Sequence, residues 1–148
     1  MRKVSAEELA KILMDHELWL KVEGGKCADL NDTNLKGVDL SNTDLTSANL
    51  NNAYLSYANL CNARLTNVYL RCAYLADANL SGANLTYADL RCATLISANL
   101  EGANLTNANL LGADLRCSKT KNVKTNIYTV GYDLACPETG SFIGYKKA

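Results

Sequence analysis

Leucine recurs at every fifth position from Leu30 to Leu115, eighteen in unbroken register. Two positions before each stands a small residue, alanine at fourteen of the eighteen, with Thr33, Val38, Thr43 and Val68 as the exceptions. The position just before each leucine is Asp or Asn in thirteen cases, so a typical unit reads Ala78-Asn79-Leu80-Ser81-Gly82. A step of five fits neither regular element. On an α-helix it advances each leucine about 140° around the axis and spreads the set over all faces. On a flat strand five is odd, so successive leucines point to opposite sides. A coil that turns a corner once per pentad places every leucine inward, and such a fixed period decides the whole architecture.

The outward positions give the number of sides, because stacked coils bring like residues together one full coil apart. The residue after each leucine shows no identities at separations of five or ten, one at fifteen and two at twenty-five. At twenty it shows five among fourteen comparisons: Asn31/Asn51, Thr46/Thr66, Thr66/Thr86, Thr86/Thr106 and Arg71/Arg91. Asn59, Asn79 and Asn99 then fall in one column, with Cys72 under Cys92, Tyr54 under Tyr74 and Gly82 under Gly102. Four sides of five residues make one coil, and eighteen pentads make about four and a half coils. At ~4.8 Å per strand spacing the stack stands about 22 Å tall. Alanine is small because a second inward layer must fit beside the leucine. The Asp or Asn before leucine suits a corner, where its side chain bonds nearby backbone amides.

The tandem Ala-(Asp/Asn)-Leu-x-x units between Cys27 and Cys117 closely resemble the pentapeptide repeat proteins. The resemblance implies an all-β solenoid, a right-handed quadrilateral parallel β-helix. It implies little about function, since one fold hosts many roles.

A solenoid exposes raw edges at both ends and needs caps. Ser5-Ala6-Glu7-Glu8 is a capping box, and Leu9, Ile12, Leu13 and Leu20 share a helical face up to Gly24-Gly25. A helix from Ala6 to Val22 is expected to cover the first coil, with His16 and Trp19 near that face in packing or capping contacts. After Cys117 the pentads are expected to stop; Lys119, Lys121 and Lys124 follow, and Ile127-Tyr128-Thr129-Val130 reads as a short strand. The stretch from Cys136-Pro137 to Lys147 has turn chemistry and an apolar stripe, and it resembles a tail seen beside pentapeptide repeats in some bacterial and phage proteins. The expected division is a helical cap over 1–26, the β-helix over 27–117 and a capping tail over 118–148.

Composition narrows the function classes. With 148 residues, 15 Lys+Arg against 15 Asp+Glu, 20% charged and 48% apolar residues, the chain reads as one ordered domain rather than a disordered tail. Zero net charge argues against direct nucleic-acid binding. No apolar signal segment follows Met1-Arg2-Lys3-Val4-Ser5 and no run approaches membrane-spanning length, so a cytoplasmic protein is expected. On that expectation the six cysteines, which include no CxxC pair, are free thiols.

Candidate chemistry is sparse. Arg71-Cys72, Arg91-Cys92 and Arg116-Cys117 place a guanidinium beside a thiol, which can activate it, yet each cysteine also suits a small semi-apolar corner position. Cys72 and Cys92 stack within the distance range of a disulfide, but parallel side chains on a ladder would strain the bond. A metal would need several converging Cys or His ligands, and the single His16 lies far from the paired thiols. No phosphate loop, HExxH or nucleophile elbow appears, so no enzyme activity, metal or cofactor is expected. Tyr54, Tyr57, Tyr69 and Tyr74 project around adjacent sides of the middle coils, as a protein-binding patch or as cross-coil stabilisers.

The leading reading is a non-catalytic structural or protein-interaction module with an unidentified protein partner. The alternative is the DNA-mimicking modulation of DNA gyrase and topoisomerase IV that underlies quinolone resistance, which the family resemblance brings with it. Members of that subgroup have strongly acidic surfaces. Residues 28–117 here carry eight acids against five bases, a balance of −3, with Arg64, Arg71 and Arg91 mid-stack.

Overall fold

The computed structural model describes residues 1–126 and 128–130. A short strand β1 (Arg2–Lys3) leads into helix α1 (Ala6–Leu20), and β1 pairs in parallel with β2 (Thr33–Asn34), matching Arg2 to Thr33 and Lys3 to Asn34. From Asp29 onward the chain is a ladder of single-residue parallel bridges made by the position before each leucine, beginning Asp29 to Asn49, Asn34 to Tyr54, Asp39 to Asn59 and Asp44 to Arg64. Sixteen of these bridges join residues twenty apart, and the last joins Asn109 to Val130, twenty-one apart. The register read from repeated outward residues is therefore the observed one.

Each corner has one conformation. The second residue after every leucine slot, from Asp32 to Asn122, has a positive φ between 51° and 73° in all nineteen pentads. From the turn that closes on Val38 onward, the N–H of the small residue before the next leucine donates to the previous leucine carbonyl, as Ala48 does to Leu45 (3.0 Å) and Ala83 to Leu80 (3.1 Å). That bond with a left-handed third residue is the type II turn, which glycine and asparagine enter most easily. Glycine fills four of the nineteen positions and asparagine six, while Cys72, Cys92, Cys117, Tyr57 and Tyr87 adopt the same left-handed angle. For such L-residues it costs about 1–2 kcal/mol.

Where Asp or Asn precedes leucine in the body of the stack, all five N–H groups of the pentad have partners, which is why a coil without continuous strands can hold together. In the pentad of Leu60, Ala58 N–H closes the turn on Leu55, Asn59 N–H donates down to Val38 and Leu60 N–H donates up to Asn79. Cys61 N–H donates to the Asn59 side chain, and Asn62 N–H donates up to Ser81. The side-chain bond recurs wherever Asp or Asn precedes leucine: all thirteen accept the N–H two residues on, from 3.0 Å at Asp39 and Asp44 to 3.3 Å at Asp29. The expected bond to a backbone amide is present, made from the ladder position just before the corner.

All eighteen leucines are at most 3% exposed, and the alanines beside them are buried as well. Two of the exceptions to alanine have a local cause at the first coil. Thr33 Oγ1 donates to the Asn31 carbonyl (3.0 Å) and Thr43 Oγ1 to the Ser41 carbonyl (3.5 Å). Those carbonyls occupy the slot that accepts from a coil below, as Cys61 does from Asn42, and at the bottom of the stack there is none.

Helix α1 lies against this end. Ser5 Oγ accepts the Glu8 N–H (3.1 Å), as the capping box requires, and Leu9, Ile12 and Leu13 pack on the leucine core while Leu20 borders an open groove. The helix ends two residues before the expected Val22. Glu23 N–H bonds the Leu18 carbonyl and Val22 N–H the Trp19 carbonyl, a Schellman closure with Val22 at φ 60°. A β-branched residue is the least favourable occupant of that angle, so the sequence points to the glycines further on. Gly25 is needed for another reason: a Cβ there would lie 2.1 Å from the Asp15 carbonyl oxygen. At the other end the pentads run on past the expected stop at Cys117, since Asn122 takes the same left-handed angle and Lys119 and Lys124 bridge to Asn99 and Asn104. Among the described residues of the expected strand only Val130 joins the ladder, as a single bridge; Tyr128 lies in a turn that the Thr129 N–H closes on the Asn126 carbonyl (3.0 Å), and Thr129 Oγ1 donates to the Leu105 carbonyl (2.9 Å). Ile127, Cys136 and the turn-rich stretch after it lie outside the described residues.

Leu80→Ala is expected to lower unfolding free energy by about 2–5 kcal/mol by leaving a cavity, and Ala83→Phe by about 1–3 kcal/mol by overpacking; urea denaturation measures both. Val22→Gly should stabilise by about 1 kcal/mol, visible as a higher melting temperature, because it relieves the left-handed angle at a 93% exposed position.

Candidate interaction surface

The bridge register sorts the side chains into columns. One side carries Asn34, Tyr54, Tyr74, Thr94 and Asp114, and the side before it carries Asp29, Asn49, Tyr69, Asp89 and Asn109. Tyr54 and Tyr74 stack with ring centroids 4.4 Å apart and planes 21° apart, and both stay about 40% exposed. The Tyr74 phenol beside it pushes Tyr54 above the ordinary tyrosine range. Tyr69 stands half exposed on the adjacent side. Tyr57 sits at the next corner with Lys36 Nζ 5.5 Å from its ring centroid, a cation–π contact. The four tyrosines thus occupy two sides and a corner, with one stacked pair among them.

Beside that pair runs a cleft of about 270 Å³ lined by Met1, Asp32, Asn52, Tyr54, Cys72 and Tyr74. Asp32, Asn52 and Cys72 come from the neighbouring corner column, which a reading by side chain type alone does not single out. Tyr87 was also missed: it is 58% exposed at a corner and occupies the same pentad slot as Tyr57, which is the signal that could have found it.

The remaining surface is polar and tightly tied. On a third side Asn59 Nδ2 donates to Asp39 Oδ1 (3.1 Å) and Asn79 Nδ2 to Asn59 Oδ1 (3.2 Å), an amide ladder along the column. Arg64 pairs with Asp44 on the coil below (3.5 Å), Arg91 with Asp89 (2.5 Å) and Arg116 with Asp114 (2.5 Å). The Arg91 and Arg116 guanidiniums hold the Asp89 and Asp114 carboxyls below the usual carboxylate range. Three of the five bases in residues 28–117 are thereby neutralised in place. Among the described residues Cys27, Cys61, Cys72 and Cys92 are free thiols, and no three His, Cys, Asp or Glu side chains converge as a metal cage. No helix among them is long and apolar enough to cross a membrane.

His16 is fully buried between α1 and the first coil and stacks on Trp19, with centroids 5.6 Å apart. Its Nδ1 accepts the Ala28 N–H at 3.0 Å. In later pentads that N–H closes a turn on a leucine three residues back; here position 25 is glycine, and the imidazole supplies the acceptor. The contact is the packing and capping role expected of His16 and Trp19. Burial pushes the His16 pKa below its usual 6.5, against the opposing pull of Asp44.

Pentapeptide repeats match the chain in eight copies, over residues 28–67, 48–86, 63–102 and 85–119. The chain therefore belongs to the pentapeptide repeat family, whose members form right-handed β-helices. A pentapeptide repeat protein from the Arabidopsis thaliana thylakoid lumen is similar at 28% identity with a TM-score of 0.64, over 67% of this chain and 69% of that one. A pentapeptide repeat protein from Nostoc Pcc 7120 is 30% identical with a TM-score of 0.41, over 80% of this chain and 82% of its own. QnrB1, a plasmid-mediated fluoroquinolone resistance protein, is 18% identical with a TM-score of 0.28, over 73% and 71%, a likeness that carries no argument about activity. No curated protein matches the chain. The family consists generally of structural or interaction modules, and no catalytic family is indicated.

A histidine held neutral by burial stabilises the fold fully above the unfolded-state pKa, and this contribution is lost as pH falls through it. Acidification from about pH 7.5 to about pH 5.5 should therefore destabilise the protein and lower the protection of the Ala28 amide, read as its exchange rate relative to that of an unstructured amide at the same pH. In His16→Gln both responses should shrink markedly.

Proposed function

We propose that this protein is a non-catalytic interaction module, a rigid rod that presents a flat side to a protein partner. The observation that carries this reading is the stacked, exposed Tyr54–Tyr74 pair beside its cleft, flanked by Tyr57 and Tyr69. Tyrosine brings a large contact area at little entropic cost, and aromatic anchors dominate binding energy at protein interfaces. Here the backbone beneath them is fixed by turns and cross-coil bonds.

In this reading residues 1–26 form a helical cap, 27–117 the leucine-filled β-helix of about four and a half coils, and 118–148 a capping tail whose Lys119 and Lys124 still follow the bridge register. The cap rests on the His16 bond to Ala28 and on Arg2, whose Nη1 donates to the Asp29 carbonyl and whose backbone N–H donates to Asp32. The setting is cytoplasmic, where the thiols stay reduced. The in-place pairing of Arg64, Arg91 and Arg116 opposes the alternative of DNA mimicry, because it consumes three carboxylates that an acidic surface would need.

The test compares the partner captured by tagged wild type with that captured by Tyr54→Ala/Tyr74→Ala, followed by direct binding of the identified protein. Loss of an aromatic anchor is expected to cost about 2 kcal/mol or more, about 30-fold in affinity. Melting temperatures of the two proteins establish that both are folded. A dose-dependent effect on gyrase supercoiling, or a partner bound equally by both forms, would overturn the proposal.

A further inference from the structure

The geometry points to a two-coordinate site for a soft monovalent cation, Cu(I) or its analogue Ag(I), formed by the thiolates of Cys72 and Cys92. Among the described residues these are the one pair of cysteines on consecutive coils of the same column. Both sit at the left-handed corner position, with φ 56° and 57°, and their N–H groups make equivalent bonds up the stack, to Arg91 and Leu111 carbonyls at 2.9 and 3.0 Å. Equal backbone conformation one coil apart makes their Cα–Cβ vectors parallel and separates them by about 4.8 Å, the spacing of neighbouring strands. The stacked rings of Tyr54 and Tyr74, in the next column, show that side chains keep this alignment outside the backbone.

That spacing decides what the pair can hold. A disulfide wants Cβ atoms about 3.8 Å apart and a twisted geometry about the sulfurs, which parallel vectors do not offer. Taking the zinc–thiolate bond of about 2.3 Å as the scale of a metal–thiolate bond, two such bonds placed in line span about 4.6 Å, close to the coil spacing. Thiolates select soft cations, Cu(I) among them, and two-coordination needs no third ligand. Binding breaks two S–H bonds, releases two protons to solvent and forms two metal–sulfur bonds, with no change in oxidation state. The resulting dithiolate complex carries one negative charge, and Arg71 immediately precedes one of its ligands, while Arg91, before the other, is held by Asp89. Access is open: Cys92 is exposed, and Cys72 borders the cleft beside Tyr54 and Tyr74. Cys61 and Cys27 are engaged elsewhere. Cys61 stacks under Ser81, whose hydroxyl donates to its sulfur at 3.4 Å, and Cys27 Sγ donates to the Ser47 carbonyl at 3.3 Å.

The experiment is an anaerobic titration with Cu(I) held by bicinchoninate, using a non-thiol reductant, on wild type, Cys72→Ser, Cys92→Ser and Cys61→Ser. Serine is native to the same corner slot at Ser47 and Ser97, with φ 64° and 57°, so both corner variants keep the fold, and thermal unfolding verifies it. Wild type and Cys61→Ser should each withdraw one equivalent of Cu(I) as monomers, with two sulfur neighbours at one distance in X-ray absorption. Cys72→Ser and Cys92→Ser should each lose that equivalent. The proposal is overturned if either corner variant retains Cu(I) as tightly as wild type, or if copper is held only between two chains in a dimer.

Discussion

Every other feature of this rod depends on the corner. A hydrogen bond from the N–H of the small residue to the preceding leucine carbonyl, closed over a left-handed residue, turns the chain after each five residues. The turn is what makes a step of five point inward, and it leaves only one residue per side to bridge the next coil. Such a thin ladder would be weak as a sheet. It holds because leucine fills the axis and the Asp or Asn side chain takes up the one N–H that faces neither turn nor neighbour. Burial and size thus fix the leucine and the small residue, hydrogen bonding favours Asp or Asn between them, backbone angle constrains the second residue after leucine, and only the residue immediately after leucine is left open to variation.

The same division explains what the sequence made legible. The leucine register, the small inward residue and the coincidences at a separation of twenty reveal the four-sided coil, because each reports a constraint repeated many times. What occurs once was harder to read. The helix stop at Val22 uses a residue that propensity places last for that angle, and no pattern at that position announces it. Thr33 and Thr43 looked like lapses in the alanine column; they supply hydroxyls to carbonyls that have no coil beneath them.

The tyrosines mark the limit of the same logic. Their identities and columns were plain, and the stacking of Tyr54 on Tyr74 follows from a separation of twenty. The cleft was not, since it lies between a side and a corner column and spans three coils, from Asp32 through Asn52 to Cys72. The cost of placing aromatics there is also local. Tyr54, Tyr69 and Tyr74 occupy slots where thirteen other pentads have an oxygen to receive a backbone N–H, and at Arg71 that N–H turns instead to Asn51 of the coil below (2.8 Å).

The uniformity of the nineteen corners gives the rod a kind of arithmetic. Because each pentad is a quarter turn, inserting five residues in the middle would leave every leucine inside and every corner closed, yet would rotate all that lies above by ninety degrees. Inserting twenty would restore the alignment and merely lengthen the stack. Evolution of such a chain by duplication therefore acts like a combination lock: the core accepts any number of clicks, and only the surface columns record which setting was kept.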